Sequence, residues 1–410
     1  MSNIFSAPNL IDQFELDLQK SFQKIDQISL FNHRKIINAF QKARISSEHF
    51  NQTTGYGHDD LGRQKLDQLF ALIFATEAAL ARVNFVSGTH AIACAILGNL
   101  KPADEIIFAF GQPYDTLQSI LDYIQLDLNG KVHINEVTDW ENLNEIIENT
   151  LKLINDKTKI IAIQRSRGYS AIRPSYSISQ IAELIKAIKF KYPEIICFVD
   201  NCYGEFVETQ EPTEVGADLM AGSLIKNPGA GIVLTGGYVV GKQGLIDKTA
   251  NRLTCPGVGA EGGPNFNQGR LLFQGIYLSP MIVSQILKGI ILSAKVCEHL
   301  NLSTSPSSGE LRTDIIQRLD FGNKKELIEF CHSLQKNSPI DSHLMPIPAC
   351  TPGYQDELIM AAGTFIEGST SELSADGPLR EPYSAYLQGG LSYFYTRLFL
   401  ENWLAQRLSF

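Results

Sequence analysis

An α/β fold with a mostly parallel sheet in a large domain, and a smaller α+β C-terminal domain, is predicted by three observations. Short apolar runs alternate with helical patterns from residue 82 to residue 240, the order that successive βα units impose on a parallel sheet. Polar residues gather where those runs end, and open α/β sheets bind ligands at the carboxyl ends of their strands. The chain has 410 residues, of which 44% are hydrophobic and 19% charged. That is a globular composition, long enough for two or three domains. The pattern divides into a helical arm at 1–51, a large domain at 52–300 and a small domain at 301–410.

Residues 9 to about 50 read as helices. Leu18, Phe22 and Ile25 fall at i, i+4 and i+7, and Ile36, Phe40 and Ala43 repeat the pattern. The arm carries no evident chemistry, and its apolar stripe offers surface for the main domain or a partner subunit. A glycine-rich polar stretch from Thr54 to Arg63 leads into a helix from about Gln64 to Ala81. Within it, His58-Asp59-Asp60 reads as helix capping by Asp60. Consecutive side chains do not converge easily on one ion, and no metal site is predicted.

Arg82 to Val86 reads as a strand that runs into Ser87-Gly88-Thr89 and an apolar helix beginning near Ala91. Free backbone N–H groups at that helix start suit a phosphate; His90 reads as a packed or capping residue. Strands follow at 105–110, 132–134 and 159–164. The first leads to Tyr114, and the last to Arg165 and Arg167. A helix from about Ser179 to Phe190 precedes a strand that ends on Asp200. A further strand reaches Gly222-Ser223-Leu224-Ile225-Lys226. An apolar helix runs from about Ser279 to Leu300; its most apolar stretch, around Met281 to Ala294, is broken by Ser284, Gln285 and Lys288 and is too short and too polar to span a bilayer. Residues 303–309 read as a linker. A strand near Ile315, a helix at 325–334, a strand at 358–362 and a helix at 393–408 complete the small domain.

The net charge of −9, with no Lys/Arg cluster, argues against a nucleic-acid surface. The seven cysteines are scattered and form no Cys-x-x-Cys pair. They point to a reduced, cytoplasmic compartment rather than a zinc site or disulfide framework. The first residues lack the basic and apolar regions of a signal peptide.

One chemistry unites the strand ends. Asp200 closes one strand, and Lys226 follows another 26 residues later. An acid and a lysine so placed suit pyridoxal phosphate (PLP): the lysine binds the cofactor covalently and the aspartate pairs with its pyridinium nitrogen. Ser87-Gly88-Thr89 supplies the phosphate cradle.

The sequence also resembles the aluminium-resistance, or methionine gamma-lyase-like, branch of the fold-type-I PLP-dependent enzymes, relatives of the cystathionine lyases. The matching stretches are Gly55-Tyr56-Gly57-His58-Asp59-Asp60 with Gly62-Arg63, Ser87-Gly88-Thr89-His90-Ala91-Ile92, Gln164-Arg165-Ser166-Arg167-Gly168-Tyr169, Val199 to Phe206, Gly222 to Gly229 and Tyr386-Leu387-Gln388-Gly389-Gly390. The resemblance implies that Lys226 carries PLP and Asp200 meets its ring nitrogen. It assigns Ser87, Gly88, Thr89 and Ser223 to the phosphate and Tyr114 to the ring face. It places Tyr56 in a neighbouring subunit's site, within a homodimer or homotetramer that shares active sites. Arg380 falls at the position that grips the substrate carboxylate, with Arg165 and Arg167 as further candidates. Two positions depart from the cystathionine lyases: His58 stands where they carry arginine, and Ile225 where they carry threonine. Arg63 is a candidate to replace the missing arginine.

The implied activity is a carbon–sulfur lyase on a sulfur-containing amino acid. Lys226 would act as base, and Tyr114 or Tyr56 as acid toward the leaving thiolate. The alternatives are an aminotransferase or aldolase on the same fold, or a low-turnover PLP-binding protein linked to metal stress.

Overall fold

The computed structural model describes residues 6–351, 354 and 356–408. The arm is one 37-residue helix, α1 (Ala7–Ala43). Its stripe is buried within the same chain: Leu18 and Ile25 belong to the main core, and α1 packs on three helices described below, α2, α8 and α10. The surface expected to serve a partner through Leu18, Phe22 and Ile25 is therefore largely covered internally.

The large sheet and its helices follow in chain order as α2 (Leu61–Ile73), β1 (Ala78–Arg82), α3 (Gly88–Asn99), β2 (Glu105–Phe108), α4 (Gln118–Leu126), β3 (Lys131–Ile134), α5 (Leu143–Leu153), β4 (Thr158–Gln164), α6 (Ile178–Lys191), β5 (Ile196–Asp200), β6 (Leu219–Ser223), β7 (Gly237–Gly241), α7 (Gln243–Leu253) and α8 (Gly269–His299). The strand order is β1-β7-β6-β5-β4-β2-β3. Strands β6, β5, β4, β2 and β3 run parallel, and β7 is antiparallel to both its neighbours. The strand expected at 82–86 lies four residues earlier. Ala78-Ala79-Leu80-Ala81 favours helix by propensity, yet all of β1 is buried and pairs with β7. Tertiary packing overrides the local preference there.

The second sheet is antiparallel, in the order β10-β11-β12-β13-β9-β8. It comprises β8 (Ser303–Ser305), β9 (Gln317–Asp320), β10 (Ala349–Cys350), β11 (Glu357–Ala362), β12 (Ser374–Pro378) and β13 (Ser384–Gln388), with helices α9 (Lys324–Lys336) and α10 (Tyr393–Leu408). The segment read as a linker thus opens with an edge strand. Helix α8 is 31 residues long and apolar enough to cross a membrane by length and composition, but 72% of its apolar window is buried inside the protein. It is the central core helix, and α1 holds it from the other side; the Ser29 hydroxyl donates to the Pro280 carbonyl at 3.0 Å.

Parallel pairing sets the working edge. Register places Gln164 beside Asp200, and Asp200 beside Ala221, two residues short of Ser223. Three side chains from three strand ends therefore open onto one cavity.

Candidate active site

The cavity holds about 180 Å³ and lies beyond the carboxyl ends of β4, β5 and β6. Asp200, Ser223, Lys226, Ser87, Gly88, Thr89 and Tyr114 all line it. Asp200 is 9% exposed, and its carboxylate accepts the Cys202 N–H at 3.1 Å. Burial raises its pKa, although the Cys202 backbone bond and Lys226 oppose the shift. A dry carboxylate at a cavity wall is well placed to meet a cationic ring nitrogen.

Lys226 follows β6 and precedes a short 3-10 turn at Asn227–Gly229. Its Nζ lies 3.6 Å from the centroid of the Tyr203 ring, within cation–π range. Burial pulls the ammonium pKa down; Tyr203, Cys202 and Asp200 more than offset this, and the net displacement is upward. Tyr203 has φ = 73°, in a region that L side chains seldom adopt. The ring under the lysine is thus held by strained backbone.

The stretch expected to cradle a phosphate opens α3. Ser87 is its N-cap, and the Ser87 Oγ accepts the His90 N–H at 3.1 Å. His90 Nδ1 in turn meets the Val86 N–H at 3.2 Å, a capping role as the sequence indicates. The N–H groups of Gly88 and Thr89 belong to the first turn, which has no helical acceptors. A Cβ on Gly88 would lie 2.7 Å from Ser223 Cβ, so only glycine lets the helix start approach β6 this closely. Donor set, glycine and buried acid together fit PLP: the α3 terminus and Ser223 for the phosphate, Asp200 for the ring nitrogen, Lys226 for the aldehyde carbon.

Tyr114 forms the opposite wall. Its N–H donates to Gln164 Oε1 at 2.7 Å, and Gln164 Nε2 donates to the Ser166 carbonyl at 2.9 Å. The Tyr114 hydroxyl meets that of Tyr354, and the Tyr169 ring stands edge-on at 5.9 Å. Burial, reinforced by neighbouring Tyr203 and Tyr354, pushes its phenol pKa far up. Tyr114 keeps its proton at neutral pH.

Several candidates lie elsewhere. Arg165 is fully buried and does not line the cavity. Its guanidinium donates to Asn201 Oδ1, the Gly204 carbonyl and Glu208 Oε1, each at 2.8 Å. These bonds tie down the loop after β5. Arg63 is likewise buried; it holds the Gly55 and Gly57 carbonyls and donates to that of Glu261 at 2.6 Å. In this chain it braces its own loop. Asp60 caps α2 by accepting the Arg63 N–H at 2.9 Å. Tyr56 is 93% exposed and lines a separate cavity with His58; one chain alone does not bring it to Lys226. Arg380 and Arg167 border a cavity next to that of Lys226.

The residue-by-residue reading passed over four neighbours. Tyr203 and Cys202 lie in the Val199–Phe206 stretch, but no spacing rule announces a ring under a lysine. Gln164 ends β4 and pins Tyr114. Asp376 on β12 is half-buried, and accepts the Tyr169 hydroxyl at 2.8 Å; desolvation raises its pKa.

Comparison with known proteins gives the family. A family model described as methionine gamma-lyase matches residues 7–408. The chain belongs to the methionine gamma-lyase family. Within reach of this family member, the uncharacterised protein YnbB of Bacillus subtilis is 44% identical over 395 residues, covering 94% of this chain and 92% of YnbB. A carbon–sulfur lyase involved in aluminium resistance from Clostridium novyi is 42% identical with a TM-score of 0.91, covering 98% of this chain and 96% of that one. The PLP-dependent protein YhfS of Escherichia coli is 15% identical with a TM-score of 0.61, over 93% and 97% of the two chains. That last likeness concerns the fold alone, which is the fold-type-I architecture.

Proposed function

We propose that this protein is a PLP-dependent carbon–sulfur lyase acting on a sulfur-containing amino acid. The observation that carries the reading is the convergence of Lys226, Asp200, the Ser87–Thr89 helix start, Ser223 and Tyr114 on one cavity in a chain of this family. PLP, when bound, supplies an electron sink for negative charge at the substrate Cα. The protein's residues do the rest. Asp200 keeps the ring nitrogen protonated: opposite charges at about 4 Å gain roughly 4 kcal/mol at an effective dielectric of 20, about three pK units. Lys226 Nζ, on the wall of the same cavity, would be the base that takes the α-proton. Tyr114 Oη gives its proton to the departing sulfur. The C–S bond breaks, a thiol leaves, and hydrolysis of the remainder gives an α-keto acid and ammonia. Arg380, whose side chain is 43% exposed and paired with Asp356 at 2.7 Å, receives the substrate α-carboxylate.

The reading includes shared active sites in a homodimer or homotetramer. It is supported by the near-complete exposure of Tyr56 and by its loop, which Arg63 pins beside a cavity separate from that of Lys226. It also places the enzyme in the cytoplasm, in keeping with seven cysteines that are all free.

The test is a panel of thioether amino acids offered to purified protein, with keto-acid and thiol release as readouts. Release of both from at least one member is expected. An amino-group transfer product without thiol would replace the lyase with a transferase.

A further inference from the structure

A cavity of about 220 Å³ adjoins the Lys226 cavity, and the two share Tyr114 and Gly168. Three arginines and one aspartate line it, so it is net positive even with Asp115 ionised. The arginines are not equivalent. Arg173 is engaged by four carbonyls, those of Phe110, Gln112, Ser166 and Arg167, at 2.9 to 3.1 Å. Arg380 stands at the rim, bonded to Asp356 and to the Tyr169 carbonyl.

Arg167 lies deeper, at 3% exposure. Its Nη2 donates to Ser305 Oγ at 2.9 Å, while Nε and Nη1 are buried without a hydrogen-bond partner. The nearby carboxylates are held by other groups. Asp314 is taken by the hydroxyls of Ser166 and Ser175, and Asp320 by Arg318 and Ser384. A buried guanidinium with unmade bonds is unfavourable until an acceptor arrives, and carboxylates match its geometry. Trp140, Pro113 and Ile172 give the same cavity apolar walls.

We infer that this chamber is a second compartment of the active site, and that it takes a negatively charged group at the far end of the substrate side chain, with Arg167 as its ligand. Two cationic anchors at different depths, in a cavity with apolar walls, fit an amino acid whose thioether chain ends in a carboxylate. The α-carboxylate meets Arg380 and the distal one meets Arg167. The inference rests on the lyase reading only in making the ligand an amino acid.

The experiment compares S-(2-carboxyethyl)-L-cysteine with its uncharged amide on the holoenzyme. The acid is expected to have a kcat/KM at least about tenfold higher, carried mainly by KM. Arg167→Gln should lower kcat/KM for the acid more than for the amide, bringing the ratio near one, and Arg167→Lys should restore part of it. A second readout needs no turnover: calorimetric binding of 3,3′-thiodipropionate against its diamide. Binding of the diacid alone, with no elimination from any thioether, would keep the chamber and refute the lyase. Elimination with equal kinetics for acid and amide, and no diacid binding, would overturn the chamber and leave the lyase standing. Both comparisons use wild-type protein, so they decide the matter even if the Arg167 variants fold poorly.

Discussion

Arg165→Met separates an architectural arginine from a substrate ligand. Arg165 is completely buried, with three hydrogen bonds at 2.8 Å and the Glu211 carboxylate 3.8 Å away. Glu211 has only 1% of its side chain exposed. Removing one partner of a buried ion pair costs about 3–5 kcal/mol, because the other charge is left without compensation. At about 2.1 cal/mol/K per residue, 410 residues give an unfolding entropy near 0.9 kcal/mol/K. A loss of about 4 kcal/mol then lowers Tm by roughly 4–5 °C. The assay is a thermal scan on cofactor-loaded protein, paired with KM for a thioether amino acid at 25 °C. The account expects the Tm drop, with KM within about threefold of wild type, since the guanidinium touches no substrate. An unchanged Tm with KM raised tenfold or more would return Arg165 to the substrate-binding set.

Four further outcomes follow from the same geometry. Gly88→Ala should lose most cofactor affinity, measured by equilibrium titration with PLP, because the new methyl lies 2.7 Å from Ser223 Cβ; affinity equal to wild type would remove the cradle from α3. Asp200→Asn should retain PLP but lose most turnover, by up to about a thousandfold from the three pK units of lost stabilisation, and near-wild-type rates would sink that role. Glu205 is buried, and its pKa is raised from 4.5 to about 8 by desolvation. The folded state therefore holds a proton between those values that the unfolded chain has released. Stability should fall as pH rises from about 4.5 to 8, and Glu205→Gln should flatten that slope in denaturant titrations; an identical slope would contradict it. Mixing Tyr56→Ala with Lys226→Ala under subunit exchange should recover activity if sites are shared, whereas proven exchange without recovery would not fit.

The sequence pattern carried the fold well where periodicity and burial agree. The parallel strands β2 to β6 were legible because their apolar runs end in turn residues and polar groups. β1 was not, because four small residues that favour helix in isolation become a strand only against β7. The arm's stripe was legible as amphipathic, but which surface it meets depends on α8, more than two hundred residues away. At the site, Asp200, Lys226 and the Ser87 cap were readable from local order, since strand ends and helix starts fix their direction. The arginines were not. Arg165 and Arg167 alternate along one stretch, and only tertiary structure shows that both Nη atoms of the first are held by Asn201, Gly204 and Glu208 while the second keeps Nε and Nη1 without a partner. Tyr203 stayed hidden because a left-handed backbone residue leaves no mark on composition.

The proposed chemistry depends on Lys226 being the residue that holds the cofactor. The measurement is borohydride reduction of the purified, PLP-loaded protein, followed by tryptic mapping of the pyridoxyl group. A single labelled peptide with the modification on Lys226 is expected, and it should disappear in Lys226→Ala. A label on any other lysine, or none on the wild-type protein, would contradict it.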